Sequence, residues 1–518
     1  MARWTVFLVT HPLRDAGLVT KGARTMKGHV VRSLVTGAAS LVLLTVAVSA
    51  SRAAIAATLT LTPTVGPPTA LVDASGSGFQ ARELVAFYFD RTRVGSARAT
   101  RAGTVARTLA VPATALPGNH AITAKGLTSR LLARATFTVR TDWLLSCFEE
   151  GRSCYNPYEN VIDRGDVDLL ASAWTTKVGT TGQGSPIYAD GLVFVGGSEG
   201  LYGLDPATGA IVINFTAAPV HTTPGVIRGV DQTDDRVIFG ATDGNLYALS
   251  TTDGKLLWQT ALGSEPTSPL VIEGFDSTDD KVLVGAGNTL SAFDSDGNKL
   301  WATVMEGGDI SKAGAVMFDQ PEERVIFAAG NTLSKVDAAE GTVLWTSAIS
   351  KSKLGSPSIG NPAIVGVPNI LVGDEDGVLY SVDPATGAVL SQFAAGGAIV
   401  GSPTISDPNL SLPWVFVSDS KGNIYAFDQT EEFPPPAWQA VLGDPIGGPP
   451  VLANGVLYVG TAPDPGDPCL FALDATSGEV LFKTMLTGRM ASEPVVADGS
   501  VVIAIASGEV VLYDGPDS

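Results

Sequence analysis

From Asp166 onward one phrase recurs about every forty to fifty residues, and no other feature constrains the fold as tightly. Each unit opens on Ser-Pro or a close equivalent and runs through an apolar strand. A second strand ends near Val-Gly, and a Gly-centred turn leads to a third strand of the type L-Y-x-L-D. A Thr-Gly turn and a strand carrying Trp or Phe complete the unit. The first full copy is SPIYADGLVFVGGSEGLYGLDPATGAIVINF, Ser185–Phe215. The opening position falls at Pro186, Pro224, Pro269, Ala315, Pro357, Pro403, Pro450 and Pro494. The closing aromatic falls at Phe215, Trp258, Trp301, Trp345, Phe393, Trp438 and Phe482. There are thus eight openings but seven closures, and the last copy ends at VVLYDGPDS without a fourth strand.

The missing strand is at the front, where LLASAWTTKVG (Leu169–Gly179) places Trp174 ahead of the first opening. An all-β, eight-bladed β-propeller over residues 166–515 accounts for this offset if the N-terminal strand completes the last blade. Such closure removes the open sheet edges that otherwise invite aggregation.

The turns have a local cause. In DPATG (Asp205–Gly209 and Asp383–Gly387) the Asp side chain can accept backbone N–H groups of its own turn, and the Gly can adopt positive φ. The eight aromatics Trp174, Phe215, Trp258, Trp301, Trp345, Phe393, Trp438 and Phe482 are expected to dock one blade on the next.

Charge divides the chain in two. Residues 1–140 carry 17 Lys or Arg against 4 acids, whereas residues 141–518 carry 16 against 48. The net charge of −19 makes the whole molecule a poor nucleic-acid binder.

Residues 1–56 are expected to be a signal-peptide region. The uncharged run LVTGAASLVLLTVAVSA (Leu34–Ala50) follows Lys27 and Arg32, and Ala54-Ile55-Ala56 offers a cleavage site. Met26 stands where such a signal would begin. The run is short for a stable span, so the mature protein is expected to be secreted or in the cell envelope, with no transmembrane segment.

Residues 57–140 alternate short apolar runs with turn residues, as in LVAFYFD and ARATFTV, and read as a small β-sandwich. His120 reads as a structural residue beside a turn. Residues 141–165 read as a linker. Within it Cys147 and Cys154 can pair in an oxidising compartment or stay as thiols, and Cys469 reads as a buried apolar residue.

Two resemblances follow from these motifs. SGSGFQARELVAFYFD and VPATALPGNHAITAKG resemble exported bacterial immunoglobulin-like modules. The repeats resemble the quinoprotein-type, pyrroloquinoline-quinone-like propeller family. Its docking phrase A-x-D-x-x-x-G-x-x-x-W is matched by ALSTTDGKLLW (Ala248–Trp258), with Ser250 at the Asp position. The lead-in YNPYENVIDRGDVDLLASAW (Tyr155–Trp174) is also similar to the segment preceding such propellers.

The family includes quinone-dependent dehydrogenases and non-catalytic lipoproteins that scaffold outer-membrane protein assembly. The dehydrogenase resemblance implies pyrroloquinoline quinone over a Trp and a vicinal Cys-Cys disulfide, with calcium alongside. This chain has no adjacent cysteines and no long insertions. DEDG (Asp374–Gly377) and DSDGN (Asp294–Asn298) stop short of a full calcium loop and read as turns. No G-x-S-x-G elbow or phosphate-binding loop is present.

Propeller geometry puts the links between blades on one face with the links between second and third strands. That face carries His221, Glu265, Lys312, Lys351, Lys353, Arg489 and Glu493, with Glu199, Asp243, Asp374 and Asp419. The expected function is an exported, non-catalytic binding or scaffold protein that presents this face to a protein or polysaccharide partner. A quinone-dependent oxidoreductase with calcium and a glycan-binding propeller are the alternatives. The basic sandwich is expected to lean on an anionic envelope surface through Arg82, Arg91, Arg93, Arg98, Arg101 and Arg107.

Overall fold

Strand pairing follows the repeat. The computed structural model describes residues 56–179, 184–229, 235–273, 280–310, 314–319, 322–360, 369–399, 401–406, 414–428, 435–462, 466–490 and 493–515. The signal-peptide region, apart from Ala56, and Lys312 lie outside these residues.

Among the described residues, eight consecutive sheets of four repeat strands account for every strand after Leu170. Sheet 1 runs from the inner strand Ile187–Ala189 to the outer strand Ile211–Thr216, and sheets 2 to 7 repeat this order. Sheet 8 holds Val495–Ala497, Ser500–Ile505 and Glu509–Asp514, and its outer strand is Ala171–Lys177 from the front of the repeats. Ala171 pairs with Asp514 and Lys177 with Glu509, antiparallel. The first and last strands of the repeats are therefore neighbours in one sheet.

Burial explains why the strands differ in composition. Inner and middle strands are covered on both faces, so Leu192–Gly197 and Gly200–Leu204 are almost continuously buried. The outer strands Leu256–Ala261, Lys299–Val304, Val343–Ala348 and Val389–Ala394 instead share one alternation of exposed and half-buried positions.

The closing Trp belongs to that alternation and docks on the next sheet. Trp174, Trp258, Trp301, Trp345 and Trp438 donate their indole N–H to Pro206, Ser295, Ala338, Pro384 and Ala475 carbonyls at 2.7–3.1 Å. Each acceptor lies in the turn of the following sheet, and each ring lies flat against that turn's glycine. A Cβ at Gly297, for example, would stand 2.5 Å from Trp258 Cδ2, and φ there is +82°. The Trp and Gly of the repeat are therefore two halves of one contact, made between successive copies. Phe215 and Phe393 occupy the same position by packing edge-on against Phe239 and Tyr247, and against Tyr425 and Phe427.

These rings keep one edge in solvent, so Trp258→Ala is expected to cost about 2–4 kcal/mol, slightly less than removing a fully buried indole. Gly297→Ala should destabilise the same joint from the other side. Urea midpoints unchanged for both variants would refute the joint.

The first module packs a three-stranded sheet (Thr58–Thr62, Leu71–Ser77, Val105–Ala110) against a five-stranded one built around Leu84–Phe89 and Gly118–Gly126. Val72, Phe87, Ile122 and Phe137 fill the space between. His120 is structural: its ring nitrogens lie 2.7 Å from Asp90 Oδ2 and 2.8 Å from the Leu116 carbonyl.

Candidate functional site

The inner strand of each propeller sheet faces the central channel with an unpaired edge, and buried N–H groups there need acceptors. Residues 141–156, expected as part of a linker, supply them. Trp143 is fully buried and bridges Tyr188 of sheet 1. The Leu144 carbonyl accepts the Val226 N–H of sheet 2 at 3.1 Å. Glu150 reaches the Glu273 N–H, at the end of sheet 3's inner strand. The Gly151, Ser153 and Cys154 carbonyls accept from Ile359, Ile405 and Leu452 of sheets 5, 6 and 7 at 2.8–3.0 Å. Tyr155–Asn156 then pairs in parallel with Leu452–Ala453, and Asn156 Nδ2 donates to the Val496 carbonyl of sheet 8. One short segment circles the channel from within.

A disulfide between Cys147 and Cys154 closes the turn of this segment. Inside the turn, Arg152 is buried and donates to Ser402 Oγ at 3.1–3.2 Å and to Ser146 Oγ at 3.3 Å. Ser146 Oγ in turn donates to Glu493 Oε1 at 2.8 Å. Burial pulls the guanidinium pKa down, against the opposing pull of Glu493 and Glu149.

Where the segment meets the sandwich and sheets 2 and 3 lies a cavity of about 190 Å³. Its apolar wall includes Leu144, Phe148, Tyr158, Val226 and Val271. Its polar wall sets Asp142, Glu149, Glu150 and Glu273 against Arg140 and Arg228. Burial pushes Asp142 up to about 7. Burial, reinforced by Glu149 and Glu273, does the same to Glu150. Arg228 Nε stands 3.2 Å from Glu273 Oε1. Among the described residues no group of three or more His, Cys, Asp or Glu is placed to hold a metal ion.

The family model of the outer membrane protein assembly factor BamB matches residues 171–332, 329–432 and 435–517, well over half of the chain. The chain belongs to this family of pyrroloquinoline-quinone-like repeat propellers. A macroglobulin-like domain model matches residues 53–139. Comparison with curated proteins gave no match.

Among solved structures the chain resembles BamB from Moraxella catarrhalis with 19% identity and a TM-score of 0.50, covering 67% of this chain and 99% of that one. A quinohemoprotein alcohol dehydrogenase from Pseudomonas putida aligns at 15% identity and TM-score 0.58, covering 72% and 80%. A europium-containing methanol dehydrogenase aligns at 14% and 0.58, covering 72% and 98%. At these identities the likeness is one of fold.

In this BamB-family propeller the residues assigned to the upper face separate into two groups. Asp243, Asp374 and Asp419 hold the turns between second and third strands. Asp374 and Asp419 are each 1% exposed. Tyr247, Tyr380 and Tyr425 donate their hydroxyls to these carboxylates, and backbone N–H groups of Asn245, Val378 and Asn423 add a second bond. Burial pushes Asp419 up, but its hydrogen bonds outweigh this and hold it below the usual carboxylate range. Glu493 is 6% exposed and is engaged by Ser146. Asp374, Asp419 and Glu493 are thus buried and engaged within the fold, whereas Asp243 makes the same turn bonds and remains exposed.

The second group, Glu199, Glu265, Lys351, Lys353 and Arg489, is exposed, and half-buried His221 places Nδ1 3.0 Å from Glu265 Oε1. No motif in the sequence marks Arg152, Ser146 or Ser402. The sole hint was a charged loop bracketed by two cysteines, CFEEGRSC.

Proposed function

We propose that this chain is a non-catalytic, extracytoplasmic scaffold whose propeller presents a rigid face to a protein partner in the cell envelope. The observation that carries this reading is the run of bonds by which residues 141–156 tie together the inner strands of seven of the eight sheets. The BamB family match supports it, since that family is named for an outer membrane assembly factor.

The resemblance to quinone-dependent dehydrogenases is tested by the same geometry. The disulfide joins residues seven apart and lies inside the packed segment, so it offers no vicinal pair for a quinone to stack on. Pyrroloquinoline quinone carries three carboxylates, whereas the cavity sets four carboxyl groups against two guanidiniums. The residues present do not fit that cofactor.

Titration with pyrroloquinoline quinone and calcium is expected to give no stoichiometric binding and no dye-linked oxidation of alcohols or sugars. Saturable binding with turnover would overturn the reading. A photo-crosslinker at Lys353, on the loop between sheets 4 and 5, is expected to trap a discrete envelope protein in cells. The same label at Ser172 on the outer strand of sheet 8 should not. Equal labelling from both positions, or a polysaccharide adduct, would count against a protein-binding face.

A further inference from the structure

The six sandwich arginines do not share one surface. Arg91 and Arg93 sit at the Leu84–Phe89/Thr92–Arg98 turn, and Arg107 lies mid-strand in the other sheet. Arg82, Arg98 and Arg101 gather at the opposite end, where the backbone ties three loops together. Arg82 N–H donates to the Thr100 carbonyl, Phe79 N–H to Gly103 and Leu127 N–H to Leu84. The tip of the hairpin joining Gly118–Gly126 to Leu132–Val139 therefore adds Lys125 and Arg130 to the same edge. All five cations are exposed.

This edge is also apolar. Leu127, Leu131 and Leu132 at the hairpin tip are 45%, 36% and 50% exposed. The one acid in residues 78–84, 98–104 and 125–134 is Glu83, and it does not offset the cations at the surface. It is buried, and its carboxylate accepts the Gln80, Thr128 and Ser129 N–H groups and the Ser129 hydroxyl at 2.6–3.1 Å. Glu83 thus pins the leucine tip to the Arg82 loop. Ala56 and Ala57 lie against Gly78 beside the same loops.

We propose that this edge docks the protein on an anionic phospholipid bilayer, with the three leucines entering the interface and the five cations facing lipid headgroups. The three leucines are exposed at a hairpin tip, and the loops that carry the cations beside them hold no exposed acid. Cations ringing an apolar tip match the two components of interfacial binding, buried apolar area and attraction to negative lipid. The inference concerns the sandwich and stands whether or not the propeller binds a protein.

The test is sedimentation of the purified full chain with vesicles of neutral phosphatidylcholine, with and without a third of phosphatidylglycerol. Residues 1–55 carry an apolar run and seven Lys or Arg, but these are common to parent and variants, so the change between parent and variant reads the edge. Binding is expected to be at least tenfold stronger to the anionic vesicles and to weaken as salt is raised. Arg82→Glu with Arg130→Glu should remove most of that difference. Leu131→Ser with Leu132→Ser should weaken binding to anionic vesicles at both low and high salt.

All four side chains are exposed, so unfolding midpoints should stay at the parent value. As an independent readout, Leu132→Trp should shift its emission to the blue on anionic vesicles and be quenched by brominated lipid. Equal affinity for both lipids, no shift at Leu132→Trp, or binding to a soluble polyanion such as heparin without binding to vesicles would each overturn the proposal.

Discussion

Replacing Arg152 with methionine is expected to destabilise the protein by about 3–5 kcal/mol, seen as a lower urea midpoint. The guanidinium is buried inside the disulfide-closed turn, and its Nε and Nη2 both reach Ser402. Through Ser146 the network continues to Glu493, which also lies near the Cys147 N–H at 3.3 Å. Methionine fills a similar volume but leaves Glu493 and Glu149 without the cation that balances them. Adding Glu493→Gln to Arg152→Met should recover part of the loss, because exchanging a whole buried pair for neutral groups costs far less than breaking it. Limited proteolysis supplies a second measurement, since release of the segment should speed cleavage between residues 146 and 154. A variant as stable and as protected as the parent would mean that this network does not anchor the segment.

The network also shows where sequence reading runs out. The repeats were legible because each strand and turn is specified within about forty residues. The offset between eight openings and seven internal closures even located the strand Ala171–Lys177 in the last sheet. Trp258 and Gly297 were both visible in the recurring phrase, although only the structure shows that a ring meets the glycine of the next copy.

Asp374 was harder to place. An Asp in a polar turn looks the same whether it faces water or is clamped by a tyrosine six residues on, and the difference lies in burial. The segment 141–156 was least legible. It has no periodicity, and partners such as Asp498 for Thr141 or Val496 for Asn156 are brought near only when the propeller closes. A short stretch without periodicity between two patterned regions reads as a connection for that reason.

Stability is expected to fall as pH rises from about 5 to about 8. Burial raises Asp142, Glu150 and Asp235 to about 7 in the folded protein. In the unfolded chain the same groups titrate near 4. Between those values the folded state binds more protons, so stability is greatest at the acid side of the window and declines through it. Around Asp142 stand Arg140, which opposes the rise, and Asp190 and Asp498, which add to it, with Arg228 also favouring the charged form. The Asp142 Oδ1 atom is buried without a hydrogen-bond donor, and Arg140 Nε is 3.6 Å away. A shift of that size corresponds to at most about 4 kcal/mol for Asp142 alone.

Carboxylates held low by hydrogen bonds, such as Asp419 and Asp474, act in the opposite direction. Their contribution is lost only as pH falls below the ordinary carboxylate range, so they do not flatten the slope above pH 5. Asp142→Asn should leave stability at pH 5 near the parent value, raise it at pH 8 and so reduce the slope. Calorimetric melting at both pH values decides the matter: a slope of zero or of opposite sign in the parent, or one untouched by Asp142→Asn, would show that the cavity carboxyls are ionised at little cost.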